Sequence, residues 1–154
     1  MQILCRLSAG EGPSNWLHRS RTLGVAIKAL LDAQVANNRL YLQLHTRVPP
    51  LYSSGVRYEN EPNWKFDGQM VEEFALIPIV LGRGWGDCDD LAPWRVAELQ
   101  QCGENAKIRV QWKRQIDPKT GKKGRKYFHI VVKRSNGYIE DPSAELGMYE
   151  RTVP

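Results

Sequence analysis

The sequence predicts an α+β domain, and three observations predict it. An apolar stripe of Leu23, Ile27, Leu30, Leu31 and Val35 recurs at three- and four-residue spacing, the signature of an amphipathic helix starting near Thr22. A second helical face follows Asp87, and two alternating segments near the end, 106–112 and 127–132, have the period of strands.

Taken in order, residues 2–8 alternate as a short strand and are followed by a Gly, Pro, Ser and Asn loop through Asn15. The helix from Thr22 is expected to stop at Asn37-Asn38, with 39–45 a strand ended by Val48-Pro49-Pro50. Residues 52–64, rich in aromatics and turn formers, read as an irregular surface loop beside a site. A short helix over 69–75 is closed by Pro78, after which Gly82, Gly84 and Gly86 permit a tight backbone approach before Asp87-Cys88. Asp87 is placed to cap the next helix, which carries Leu91, Trp94, Ala97 and Leu99 and stops at Cys102-Gly103. Pro93 inside it removes a backbone hydrogen bond, so regular helix is expected to start one or two residues after Cys88. Asp89 and Asp90 lie in the first turn, where carboxylates suit the helix dipole and read as structural rather than metal-ligating. The strands 106–112 and 127–132 flank a turn at 117–121, and Ser135-Asn136-Gly137 turns the chain into 138–141.

Composition bounds the class. At 154 residues, with 42% hydrophobic and 25% charged residues, the chain has the size and balance of one soluble domain spanning 1–154. No apolar run approaches the roughly 20 residues of a membrane span, and the first ten residues hold no signal-peptide core, so a cytoplasmic location is expected. Cys5, Cys88 and Cys102 are too few and odd in number for a disulfide framework, and His18, His45 and His129 show no zinc spacing, so neither cofactor nor metal is expected. The net charge of +5 is uneven: residues 107–134 hold eleven Lys and Arg against the single acid Asp117. That segment reads either as a solvated hairpin whose lysines discourage edge pairing or as a patch for an anionic partner, with Lys113, Arg114, Lys122, Lys123, Arg125 and Lys126 its candidates.

A thiol becomes a nucleophile where a helix N-terminus and an imidazolium stabilise its thiolate. Cys88 is placed for both, with His129 downstream on a strand and Asp141 on the next, the order of nucleophile, base and orienting carboxylate. Three blocks carry a resemblance: Gly86-Asp87-Cys88-Asp89-Asp90-Leu91-Ala92, Phe128-His129-Ile130-Val131-Val132, and the stretch from Gly137 to Asp141-Pro142-Ser143. Together they resemble the signature of the transglutaminase-like (papain-like) superfamily. With Leu51-Tyr52-Ser53-Ser54-Gly55-Val56-Arg57-Tyr58-Glu59, Trp94-Arg95-Val96-Ala97-Glu98-Leu99 and Leu146-Gly147-Met148, they resemble in particular its small bacteriophage and prophage forms. The resemblance covers about 50–148; residues 1–45 add an N-terminal strand and helix.

The resemblance implies a Cys helix packed on an antiparallel sheet that bears His129 and Asp141. It implies attack by Cys88 on a protein or peptide amide through a thioester, by a peptidase, amidase or transglutaminase, with Trp64 or Trp85 as second oxyanion donor beside the Cys88 N–H. The competing reading is a phage virion or assembly protein that keeps the fold with little or no catalysis, located in the host cytoplasm or with the virion. Its partners would be other phage proteins or an anionic surface reached through the basic hairpin. Register sets a condition on the triad. A two-residue turn at Asn136-Gly137 would send His129 and Asp141 to opposite sheet faces, whereas a three-residue loop pairing Arg134 with Tyr138 puts them on one face.

Overall fold

The structure, a computed structural model, describes residues 16–61, 65–66, 69–70, 73–116 and 120–149. The expected strand at 2–8, with Cys5, lies outside the described residues, as do Trp64 and residues 117–119 of the hairpin turn.

The architecture is α+β. Helix α1 spans Trp16–Leu44, far beyond the expected stop. Asn37 and Asn38 do not end it, because both amides find partners. Asn37 Nδ2 donates to the Ala33 carbonyl one turn back, and the buried Asn38 accepts from the Ile77 N–H. The stripe of Ile27, Leu31, Gln34, Val35, Asn38 and Leu42 stays buried at helical spacing, so the expected strand at 39–45 is the continuation of α1.

A single 3₁₀ turn, Leu51–Ser53, leads to strand β1, Arg57–Tyr58, inside the segment expected to be loop. Lys65–Phe66 (β2) and Gln69–Met70 (β3) form a small antiparallel pair, so the helix expected over 69–75 is not there. Helix α2 is Ile77–Arg83 instead. Pro78 opens it rather than closing a helix, since proline in the first turn gives up an N–H that has no helical acceptor. Gly84, with φ 75°, ends α2 in the left-handed region, and β4, Trp85–Gly86, pairs in parallel with β1.

Helix α3, Cys88–Gln101, starts at the cysteine and not after it. Pro93 sits in its interior, which leaves the Asp89 carbonyl without the usual helical donor. α3 is the centre of the molecule: Leu91, Ala92, Trp94, Val96 and Ala97 are buried, with α1 packed along one side and the sheet along another. The sheet runs β5 (Lys107–Ile116), β6 (Lys123–Lys133), β7 (Ile139–Glu140), antiparallel throughout, with a bulge between Arg114 and Ile116. Ile108, Ile130 and Val132 bring its core face into the same cluster as α3. Helix α4, Pro142–Glu145, follows at once and packs on α3. Among the described residues no helix is long and apolar enough to cross a membrane.

Candidate active site

The loop between β6 and β7 has three residues. Arg134 N–H donates to the Tyr138 carbonyl, Gly137 N–H returns to the Arg134 carbonyl, and Gly137 takes φ 85°. Val132 then faces Glu140 and Lys133 faces Ile139, which puts Asp141 across from Val131, on the sheet face of His129. His129 Nε2 meets Asp141 Oδ2 at 2.7 Å. With Nε2–H as donor to a carboxylate, the neutral ring keeps Nδ1 free of its proton and able to accept one.

Asp141 is pinned from the other side as well. It is the N-cap of α4, and its Oδ1 accepts the Ala144 N–H at 3.3 Å. Burial pushes its carboxyl upward, but the His129 hydrogen bond and charge, the Ala144 N–H and the Lys113 ammonium together hold it below the usual carboxylate range. Its neighbour Glu140 locks β7 in place. Glu140 accepts from Arg95 Nε on α3 at 2.6 Å, from Arg134 Nη1 at 2.6 Å and from the Tyr52 hydroxyl at 2.5 Å. Arg134 also grips both oxygens of Glu104.

Cys88 is half-buried and is the first residue of α3, where the dipole of a 14-residue helix favours thiolate. The turn in front of it is tightly built. A Cβ on Gly86 would come within 3.2 Å of Val80, Asp90 and Leu91, closer than ordinary contact, so a larger residue would have to push these side chains back by a few tenths of an ångström. Arg83 covers the Trp85 ring at 3.8 Å, donates to the Trp85 carbonyl and forms an ion pair with Asp90. Trp85, half-buried under this guanidinium, is an anchor of the turn. Asp87 stands at the N-cap as expected, but its side chain makes no capping bond; its carbonyl accepts from Leu91.

Asp89 and Asp90 are fully buried, which no dipole argument anticipates. Asp90 is satisfied by Arg83 and by the Ala75 N–H. Asp89 has no donor from any other group at either oxygen, and Asp87 Oδ1 has none. Burial, then the Asp87 charge and contact, push the Asp89 carboxyl well above its ordinary value. Burial thus favours the protonated form of Asp89, and a protonated carboxyl can donate to the facing Asp87.

Tyr58 was not singled out by its sequence. It pairs with Gly86 across β1 and β4, and its N–H donates to the Leu146 carbonyl just after α4. Burial pushes its phenol up, and the negative forms of Cys88, Asp87, Asp89 and Asp141 push it further, so Cys88 and Asp141 share the surroundings of one ring. A two-residue parallel pairing leaves no sequence signal to find it by.

Of the basic candidates, Lys122 and Lys123 are exposed and Lys113 is half-buried. Arg114, Arg125 and Lys126 lie on β5 and β6, with their side chains outside the described residues. Among the described residues no group of three His, Cys, Asp or Glu is placed to hold a metal ion. Compared with protein families, with curated proteins and with solved structures, the chain matches none.

Proposed function

We propose that the chain is a transglutaminase-like cysteine acyltransferase acting on protein or peptide amides, with Cys88 as nucleophile, His129 as base and Asp141 as the carboxylate that holds the imidazole tautomer. The observation that carries the proposal is the His129–Asp141 bond of 2.7 Å, formed through a register in which those two residues share a face. Cys88 opens a buried helix, and its thiolate and the Asp141 carboxylate both act on the Tyr58 phenol, which supports it.

In the proposed reaction His129 Nδ1 takes the Cys88 proton, the thiolate bonds to the amide carbon, and the carbonyl electrons move onto oxygen beside the Cys88 N–H. The imidazolium then protonates the departing amine as the C–N bond breaks and a thioester remains. Water or a second amine attacks the thioester, giving its proton to His129, and the thiol is regenerated. A protonated Asp89 would favour this chemistry, since a further bare carboxylate beside Cys88 would oppose thiolate formation.

Alkylation tests the proposal. With iodoacetamide at neutral pH, followed by intact mass and peptide mapping, Cys88 should react faster than the exposed Cys102, despite being less accessible. His129→Ala should bring Cys88 down to the rate of an ordinary thiol, and Asp141→Asn should slow it by about tenfold or more. Equal rates at Cys88 and Cys102 in the native protein would remove the nucleophile.

A further inference from the structure

We infer that the basic row Lys107, Arg109 and Lys113 on β5, with Lys133 of β6 beside it, is a docking strip for an acidic polypeptide. On the acyl-transfer reading, which this clause rests on, that polypeptide is the substrate and presents carboxylates at alternate residues.

The register fixes the strip. Lys107 lies opposite Lys133, Arg109 opposite Val131, and Gln111 opposite His129, and cross-strand partners share a face. Lys107, Arg109 and Lys113 therefore line the face of His129 and Asp141, while Ile108 of β5 turns to the core. Lys107, Arg109 and Lys133 are exposed, while Val131 and His129 on the same face are buried. Among the described residues none of the four is within ion-pair distance of a carboxylate, whereas Arg83, Arg95 and Arg134 each hold two. Like charges directly opposite destabilise a sheet, and the Lys107–Lys133 pair is such a case, a cost that an acidic partner relieves.

Edge protection does not account for the arrangement. β5 is an edge strand, where lysines discourage pairing, but β6 lies between β5 and β7, so Lys133 has no edge to guard. The spacing suits an extended chain: alternate strand positions repeat at roughly 7 Å, the repeat of alternate side chains in a bound peptide. The strip also reaches the site, because the Lys113 ammonium is among the charges that hold Asp141 ionised.

Fluorescence anisotropy tests this with a labelled synthetic peptide carrying Glu at every second position around a central Gln. A peptide with Lys in place of Glu and a single-stranded oligonucleotide serve as rival probes. The acidic peptide should bind, more weakly as salt rises, and lose roughly tenfold in affinity in Lys107→Glu/Arg109→Glu. Lys122→Glu/Lys123→Glu, the same charge change at the hairpin tip, should leave affinity within about twofold, and Cys88→Ser should leave it unchanged. No binding, equal losses in the two double variants, or tighter binding of the oligonucleotide would overturn the strip. Peptide binding with an unreactive Cys88 would uphold the strip and remove the acyl-transfer reading, and a hyper-reactive Cys88 without peptide binding would do the reverse.

Discussion

Neither oxygen of the buried Asp89 accepts a hydrogen bond among the described residues, and its stability effect follows from that. Its folded-state value is raised, so its contribution is fully present below the ordinary carboxylate pKa and is lost as pH climbs from there toward the raised value. Over that window the wild type should lose about 1 kcal/mol of stability per pH unit on account of this group. Asp89→Asn keeps the size of the side chain and cannot ionise, so it should flatten the slope and be the more stable form at neutral pH. Urea midpoints measured from pH 5 to 8 check this; parallel slopes would mean that Asp89 sheds its proton without cost. The sequence shows a run of three acids around a cysteine and implies a wet helix start. It hides that α3 is packed on more than one side, and that the partner of Asp90 is Arg83, seven residues upstream in a glycine-rich turn.

At the scale of elements, the register of one short loop decides the site. Asn-Gly is the strongest signal for a two-residue hairpin, yet the loop here is Ser135-Asn136-Gly137 with only Gly137 left-handed. The requirement that His129 and Asp141 share a face selects this loop from the sequence, because side chains alternate with period two. Deleting Ser135 should force the two-residue turn and move both Glu140 and Asp141 to the opposite face, breaking the Arg95 clamp along with the His129 bond. We expect a folded but less stable protein whose Cys88 alkylates as slowly as in His129→Ala; retained fast alkylation would show that Asp141 is dispensable. Elsewhere local rules misled. Asn37-Asn38 and Pro78 are stop signals in isolation, and each is overridden by its position: Asn37 bonds back within α1, Asn38 accepts from Ile77, and the proline stands at the start of α2.

In the whole molecule, the helical and strand periods gave the class and the apolar stripes gave much of the core, because burial follows periodicity directly. What periodicity could not give was the set of long-range polar ties: Glu98 accepting from Leu51 N–H, Glu140 binding Arg95, and two amides on α1 meeting the chain before α2. The last of these has a kinetic meaning. The N–H of Ile77, at the first position of a helix, has no partner within its own helix and would ordinarily exchange with solvent quickly. Here it is buried and donates to the side chain of Asn38, 39 residues earlier. Its deuterium uptake is therefore a clock for the undocking of α1. In native-state hydrogen exchange Ile77 should be as slow as the central residues of α3, and Asn38→Ala should speed it without matching the acceleration across β5 and β6. If Ile77 exchanged like an ordinary helix start, α1 would be leaving α3 far more often than the rest of the fold opens.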